Sequence, residues 1–395
     1  MNIYADNAAT TKMSKTAIQA MLPYMEEIYA NPSSLHSMGQ QAKEHLTIAR
    51  QQIANCLNCE PKEIFFTSGG SEADNQAIIS AANIGKKKGK THIISTDFEH
   101  HAVLHTLDKL KKQGFDVELL PVGSKANITA KQVENAIRDD TCLVTAMYAN
   151  NEIGSVLPIS EIGEICSRKG VIFHTDAVQA AGHLHIDVAA QHIDMLSLSA
   201  HKFHGPKGIG ALYVKKGIVL SSLIDGGAQE KGKRAGTENI PAIMSMAASL
   251  AEACSNLEKN NAHLKQLQNR LIDGLSKIPH SVLNGDRNNR LAGNVSFCFE
   301  GIEGEGLLLL LDAMGVYASS GSACTSGSLD PSHVMLAIGR IHEIAHGSLR
   351  LSLCHHNTVE EVDYIINAVT KVVERLRNMS PLWRDKTEGK KQFIL

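Results

Sequence analysis

The segment SLSAHKFHGPKGIG at 197–210 carries the strongest chemical signal in the sequence, because it brings a lysine to the end of an apolar run. The run predicts a buried strand that delivers Ser199, His201 and Lys202 into a turn rich in glycine and proline. Burial lowers the pKa of a lysine and makes its amine nucleophilic, which suits a Schiff base with an aldehyde cofactor. A solvated loop lysine is the alternative, and Lys207 is a second candidate in the same segment.

The segment IFHTDAVQ at 172–179 offers an acid at the end of another predicted strand. Strand alternation places His174 and Asp176 on one face. A buried carboxylate is costly unless it is paired, and the protonated ring nitrogen of a pyridine cofactor is a suitable partner. In the alternative interpretation, Asp176 only caps the helix that follows.

The segment FFTSGGSEADN at 65–75 predicts a strand, a turn at 68–71 and then a helix. Glycines and a helix N-terminus expose backbone N–H groups, which together bind a phosphate. The spacing is neither that of a Walker A loop nor that of a dinucleotide fingerprint. A phosphate cradle, an aspartate and a lysine occur in this order in the aspartate-aminotransferase-like fold (fold type I) of pyridoxal phosphate enzymes, which the sequence resembles.

One cysteine has an unusual setting. Eight cysteines are scattered over 395 residues, which argues against a disulfide framework and favours a reducing cytoplasm. Cys324 lies in SSGSACTSGSLDPSHVM at 319–335, among small residues that pack poorly. We therefore predict an exposed thiol able to reach a substrate and then a partner. An incidental loop cysteine is the alternative.

The order of elements indicates an α/β protein with two domains. Short apolar runs alternate with helical patterns from about 60 to 225, which favours a largely parallel sheet. After 255 the chain reads as a smaller α/β domain. Thr129 with Gln132 and Thr358 with Glu361 predict capping boxes at two helix starts. The polar residues from Pro381 onward predict a loosely held tail.

Composition excludes several classes of partner. Lys plus Arg number 39 and Asp plus Glu 41, so the net charge of −2 gives no drive toward nucleic acid. No apolar run approaches the ~20 residues of a membrane span, and the N-terminus lacks the pattern of a secretory signal. We therefore expect a cytoplasmic protein with neither a nucleic-acid nor a membrane partner.

From YADNAATT at 4–11 to RLRNMSPLW at 375–383, the chain resembles the group I cysteine desulfurases of the NifS/IscS type, within the class V aminotransferases. The segment 319–335 is similar to their active-cysteine loop. The resemblance implies a fold type I large domain, with a mostly parallel seven-stranded sheet, over 15–255. It implies a smaller α/β domain over 1–14 and 256–380, and a tail over 381–395.

The resemblance also implies a role for individual residues. Lys202 forms the Schiff base with pyridoxal 5′-phosphate and moves the substrate α-proton, while His100 stacks on the ring and acts as an acid or base. Arg350 clamps the substrate carboxylate with the help of Asn31. The remaining cofactor contacts are Asp176 at the ring nitrogen, Gln179 at the ring hydroxyl, Asn150 beside that hydroxyl and the substrate, Gly70, Ser71, Ser199 and His201 at the phosphate, and Thr237 at the phosphate from the second subunit of a homodimer.

The implied activity is conversion of L-cysteine to L-alanine with transfer of sulfur as a Cys324 persulfide. The implied acceptor is an iron–sulfur scaffold protein of the NifU/IscU type or another sulfur acceptor, with Cys324 as a transient iron–sulfur ligand and no further metal site. Selenocysteine lyase and aminotransferase are alternatives on the same fold. The chain departs from its relatives at Lys231 and Lys233, where arginine is common, so bidentate anion binding is lost there.

Overall fold

The computed structural model describes residues 1–320 and 331–395. The strands are β1 (Ile3–Tyr4), β2 (Ile64–Thr67), β3 (His92–Thr96), β4 (Asp116–Leu120), β5 (Thr141–Thr145), β6 (Ile172–Asp176), β7 (Met195–Ser199), β8 (Gly210–Val214), β9 (Ser281–Leu283), β10 (Asn294–Phe299), β11 (Val316–Tyr317) and β12 (Ser348–Ser352). The α-helices are α1 (Lys15–Met21), α2 (Pro23–Glu26), α3 (Ser37–Leu57), α4 (Gly70–Lys87), α5 (His101–Lys112), α6 (Ala130–Ala136), α7 (Ile159–Lys169), α8 (Gln229–Gly232), α9 (Ile240–Ser255), α10 (Leu257–Leu275), α11 (Gly304–Ala313), α12 (His333–Ala337), α13 (His342–Ala345), α14 (Val359–Met379) and α15 (Pro381–Thr387).

Seven strands form the large sheet, in the order β2-β8-β7-β6-β5-β3-β4. Only β8 runs antiparallel to its neighbours β2 and β7, so the other six strands point the same way. This confirms the predicted α/β fold with a mostly parallel seven-stranded sheet. Because six carboxyl ends meet at one edge, the loops that follow these strands are brought together there.

Local sequence signals set where several helices begin. Thr129 and Thr358 form the predicted capping boxes with Gln132 and Glu361, and these begin α6 and α14. The α5 helix has a less common cap, since the His100 side chain accepts a hydrogen bond from the N–H of Ala102 at 3.1 Å. That cap fixes the His100 ring at the carboxyl-end edge of the large sheet.

Besides the core of the large sheet, a second hydrophobic core lies around a small antiparallel sheet with the order β12-β10-β9. It contains Leu267 and Leu271 of α10 and Val369 of α14. Ile3 and Ala5 from the start of the chain also belong to it, and β1 pairs with β11. Both ends of the chain therefore contribute to one packing unit. The predicted domain boundaries near 15 and 255 stay a prediction.

Parts of the last fifteen residues are held by specific contacts with the rest of the chain, which the prediction of a loosely held tail did not anticipate. The backbone N–H groups of Ile394 and Leu395 donate to the buried carboxylate of Glu300, and Phe393 stacks on His280. Arg377 lies 4.0 Å from the ring centre of Trp383. Among the described residues, no helix is both long and apolar enough to cross a bilayer.

Candidate active site

A cavity of about 310 Å³ lies at the carboxyl-end edge of the large sheet. Its lining includes Gly70 after β2, His100 after β3, Asp176 at the end of β6 and Lys202 after β7. The sequence segments that looked reactive one by one therefore converge, because each follows a strand whose carboxyl end lies at this edge. The volume falls at the lower end of the range for small-molecule sites, about 300–1,000 Å³.

Lys202 lies in a single 3-10 turn that directly follows β7. Its Nζ donates to the carbonyl oxygens of Ala8 and Ala9, at 2.6 and 2.8 Å. These residues come from the N-terminal segment that pairs with β12 at Asp6, so the first residues of the chain help to build the cavity wall. The alternative lysine, Lys207, is exposed and does not line this cavity.

Asp176 is the last residue of β6 and is buried. Its Oδ1 accepts a hydrogen bond from the N–H of Val178 at 2.9 Å. Burial raises the pKa of the Asp176 carboxyl to about 6, against the lowering effects of that hydrogen bond and of the Lys202 charge. A cation that entered the cavity would stabilise the ionised form and pair with it.

His100 presents a defined tautomer to the cavity. Its Nδ1 accepts from the Ala102 N–H, so the neutral ring carries its proton on Nε2. Burial and the neighbouring charge of Lys202 lower the pKa of His100 to about 4. At neutral pH the ring is therefore uncharged, which suits stacking on an aromatic ligand and exchange of a proton through one nitrogen.

The N-terminus of α4, where the sequence predicts an anion cradle, lies at the cavity. Gly70 and Ser71 line the cavity together with Ser199 and His201. A Cβ at Gly70 would lie 2.5 Å from Cγ2 of Val178, so the close approach of these two segments requires glycine. Burial and the charges of two nearby lysines lower the pKa of His201 to about 4. The eighteen-residue α4 adds the positive end of its dipole.

Gln179 and Arg350 complete the lining on the side of the N-terminal segment. Gln179 Nε2 donates to the Ala8 carbonyl at 2.9 Å. Arg350, on β12, is buried and pairs with Asp6 at 2.7 Å. Its Nη1 donates to the Asn151 carbonyl at 3.2 Å. The guanidinium is thus held at the cavity by groups from two other segments.

The structure favours Asn151 over Asn150 as the asparagine that meets a ligand. Asn150 is fully buried, and its amide is used internally. Its Nδ2 donates to the Phe98 carbonyl at 3.0 Å, and its Oδ1 accepts from the N–H groups of Glu152 and Ile153. Asn151 lines the cavity, whereas Asn150 does not. The two are adjacent in a turn beyond β5, so strand alternation could not separate them.

Two predicted residues, Asn31 and Thr237, lie outside the cavity of this chain. Asn31 is exposed, and its Oδ1 accepts the N–H of Ser33 at 2.9 Å. Thr237 is also exposed and lines a different, smaller pocket. In a single copy of the chain, therefore, neither of these side chains meets Lys202 or Arg350 around the cavity.

Cys324 lies outside the described residues, but both flanks of its segment are described and lie near the cavity. Ser319 forms a two-way backbone bridge with Arg350. On the other side, Ser332 Oγ donates to Glu152 at 2.5 Å, and His333 Nε2 donates to the Glu99 carbonyl at 2.9 Å. The seven described cysteines are free thiols. No group of three His, Cys, Asp or Glu side chains in the described parts of the chain could hold a metal ion.

Sequence reasoning missed Asp74 and the backbone of Ala8 and Ala9, which all line the cavity. Asp74 could have been found, because it follows Gly70 by four residues on a predicted helix and therefore shares its face. The two alanines carry no signal of this kind, since their carbonyl groups contact Lys202 while their side chains are inert.

Comparison with known proteins places this fold and cavity in a defined class. The Aminotransferase class-V family matches residues 3–365, and the chain belongs to that family. A cysteine desulfurase IscS of Methanosarcina thermophila is 53% identical over 380 residues, covering 96% of this chain and 94% of the relative. A cysteine desulfurase IscS of Clostridium botulinum is 51% identical over 393 residues, covering 99% of both.

Solved structures agree with the observed fold. A NifS-like protein superposes with a TM-score of 0.89 at 36% identity, covering 95% of this chain and all of the other. SspA in complex with cysteine gives a TM-score of 0.78 at 36% identity, covering 90% of this chain and 99% of that one. The fold and family expected from the sequence are therefore confirmed.

Proposed function

We propose that this chain is a pyridoxal phosphate-dependent cysteine desulfurase that converts L-cysteine to L-alanine and delivers the sulfur for iron–sulfur cluster assembly. Relatives at 51–53% identity over nearly the whole chain are named cysteine desulfurase IscS. The observation that carries the proposal is that both described flanks of the segment containing Cys324 lie beside the cavity residues. Its segment leaves the described chain beside Arg350 and returns beside Glu99 and Glu152.

The cavity fits the cofactor. Gly70 lets the start of α4 approach Val178 more closely than any Cβ would allow, and the α4 N-terminus with Ser71, Ser199 and His201 suits a phosphate. Burial raises the pKa of Asp176, so a cationic partner would stabilise its ionised form, and Lys202 supplies an amine. When bound, pyridoxal phosphate supplies an aldehyde that captures amines and a protonated ring that withdraws electrons from the substrate Cα.

The residues of the chain then have distinct tasks. Lys202 Nζ would hold the aldehyde and would take the α-proton of cysteine. Asp176 would pair with the ring nitrogen, and Gln179 and Asn151 would hold the ring hydroxyl. His100 would pack against the ring and exchange a proton through Nε2. Arg350 holds the substrate carboxylate through parallel N–H groups.

Cys324 carries out the sulfur transfer in this proposal. Cys324 follows Ser320 by four positions in the sequence, and four residues of fully extended chain span at most about 14 Å. The Cys324 thiolate attacks the sulfur of bound cysteine, an S–S bond forms, and the Cβ–S bond breaks. The Cβ takes a proton, so L-cysteine and the Cys324 thiol become L-alanine and the Cys324 persulfide, with no external oxidant or reductant.

A homodimer gives the remaining predicted residues a role. Large apolar side chains near Asn31 are exposed in a single copy, with Leu35 94%, Tyr29 70% and Met25 61% accessible. An exposed patch of this kind is typical of a protein interface. We propose that a second copy covers it, and that Asn31 and Thr237 serve the partner's cavity at substrate and phosphate.

The acceptor we propose is an iron–sulfur scaffold protein in the cytoplasm. Reducing conditions keep the Cys324 thiol available between turnovers. The persulfide then passes its terminal sulfur to the scaffold, where Cys324 serves as a transient ligand to the growing cluster. The iron is cargo in this scheme and has no resident site on the chain.

The decisive test replaces Cys324 with alanine and follows L-cysteine turnover. Wild-type protein is expected to release alanine and sulfide in equal amounts with reductant, and to carry an alkylatable persulfide without it. Cys324→Ala should lose the persulfide and nearly all turnover while keeping the cofactor absorption. Cys59→Ala, which removes a half-buried thiol distant in the sequence from Cys324, is the matched control. A persulfide retained in Cys324→Ala would overturn the assignment.

Two further substrates separate the alternatives. Selenocysteine turnover that survives in Cys324→Ala, with no cysteine turnover in wild type, would identify a selenocysteine lyase. Amino exchange that depends on a keto acid would identify an aminotransferase, which has no need of Cys324.

A further inference from the structure

The cavity contains a second buried carboxyl group, Asp74, in addition to Asp176. Asp74 lies one helical turn after Gly70 on α4 and is 1% exposed. It lines the cavity, yet its Oδ1 accepts no hydrogen bond within the part of the chain described. The nearby Nε2 of His174 is 3.7 Å from this oxygen, which is too long for a hydrogen bond.

His174 cannot supply a positive charge to Asp74. Its two ring nitrogens are occupied by hydroxyl groups, Nδ1 with Thr145 at 2.8 Å and Nε2 with Ser197 at 3.0 Å. Burial lowers the pKa of His174 to about 3, so the ring is neutral under all working conditions. Among residues 1–320 and 331–395, no lysine or arginine forms an ion pair with Asp74.

The surrounding charges separate the two aspartates. The Lys202 charge lowers the pKa of Asp176. Burial and the carboxyls of Asp176 and Glu99 raise the pKa of Asp74 well above the usual range, although the Ser197 hydroxyl acts to lower it. Burial also raises the pKa of Glu99 to about 8. Ionising a second carboxyl here would bury an uncompensated charge beside a like charge, which is strongly unfavourable.

We propose that Asp74 remains a neutral carboxylic acid in the working enzyme, so that Asp176 is the single carboxylate offered to the ring nitrogen of the cofactor. The inference rests on the proposed function for the identity of that ring. The inference itself concerns two side chains of this protein: one of the two cavity aspartates holds a proton, and the structure assigns that proton to Asp74.

Infrared spectroscopy of the holoenzyme tests the proposal directly. A difference spectrum between wild type and Asp74→Asn should show, at pH 7, one protonated-carboxyl carbonyl band that the variant has lost. The subtraction removes the contribution of Glu99. In Asp176→Asn, where the neighbouring charge is gone, the same band should disappear at a lower pH than in wild type. No lost band at pH 7 in Asp74→Asn would overturn the proposal.

The cofactor spectrum gives a second readout. Asparagine mimics the neutral acid, so Asp74→Asn should keep the pH midpoint of the visible absorption within about 0.3 unit and cofactor affinity within about threefold. A midpoint shift of one unit or more would mean that a charge had been removed, against the proposal. Asp312→Asn, an exposed acid on α11, is the control. If wild type binds no cofactor, the proposed function fails, while the infrared band still decides the state of Asp74.

Discussion

Two buried carboxylates in different sheets of this chain, Asp176 and Glu300, have opposite pKa shifts. Glu300 follows β10 and receives Lys386 Nζ together with the backbone N–H groups of Ile394 and Leu395, at 2.8 and 2.9 Å. Burial acts to raise the pKa of Glu300, but these donors outweigh it, and the pKa is lowered. For Asp176 burial prevails, and the pKa rises to about 6.

The difference lies in how completely the protein replaces water around each charge. The cluster of Glu300, Lys386, Ile394 and Leu395, which we call the C-terminal cluster, stabilises its carboxylate with its own cation and amides. Around Asp176 the protein compensates the carboxylate less completely, so an incoming cationic ligand would have to stabilise it. Substitutions in the cavity should therefore change chemistry, whereas substitutions in the C-terminal cluster should change stability.

The largest expected effect comes from Lys202→Ala. The variant should lose the absorption band near about 400 nm that an imine of the cofactor gives, and L-cysteine turnover should fall by at least about 10³-fold. Loss of the hydrogen bonds to the carbonyl groups of Ala8 and Ala9 should lower the free energy of unfolding by about 1–2 kcal/mol. Spectra, alanine release and urea unfolding measure the three quantities.

Lys207→Ala is the matched control for Lys202→Ala, since Lys207 lies exposed in the same segment. It should keep both the band and the turnover. If Lys207→Ala lost the band while Lys202→Ala kept it, the assignment of the reactive lysine would be reversed, and the contrast between the cavity and the C-terminal cluster would lose its main support.

Lys386→Met should show the opposite behaviour. The substitution leaves the buried Glu300 carboxylate without its cation, and breaking a buried pair in this way costs about 3–5 kcal/mol of stability. L-Cysteine turnover per folded molecule should be unchanged. Lys390→Met, which removes an exposed lysine from pairs with Glu388 and Asp385, should cost at most about 1 kcal/mol. Equal losses in the two variants would contradict the contrast.

The sequence predicted the cavity better than the C-terminal cluster, and the reason is topological. Lys202, Asp176 and Gly70 each follow a predicted strand, and parallel strands bring such positions to one edge without any detailed knowledge of packing. Asn150 and Asn151 show the limit of this reasoning. Both lie in a turn past the strand end, where no period fixes which side chain faces the cavity.

The C-terminal cluster could not be predicted because its partners are far apart in the chain. Glu300, Lys386 and Leu395 have no common period, and the polar composition after Pro381 favoured a loose tail. What holds the tail is a set of long-range contacts, such as Phe393 on His280 and Trp383 on Arg377. Contacts of this kind join positions up to about a hundred residues apart, which a local pattern does not encode.

The smallest expected effect is on the pH dependence of stability, and it again distinguishes the cavity from the C-terminal cluster. His174 lies behind the cavity with a pKa lowered by burial to about 3, while an unfolded histidine has a pKa of about 6.5. Below pH 6.5 the unfolded chain therefore binds a proton that the folded chain refuses, and stability falls with falling pH. Between pH 6.5 and 5 this one residue costs about 2 kcal/mol.

His174→Gln, measured by urea unfolding of cofactor-free protein, should shrink the stability difference between pH 6.5 and 5 by about that amount, because glutamine does not titrate. The contributions of Asp176 and His100 remain in both proteins and cancel in the comparison. Lys390→Met, at an exposed site outside the cavity, should keep the wild-type pH dependence in this window, since exposed ion pairs contribute at most about 1 kcal/mol. If the stability of His174→Gln fell with pH as steeply as that of the wild type, His174 would not be the source of the loss of stability in acid. Only the effects on turnover would then distinguish the cavity from the C-terminal cluster.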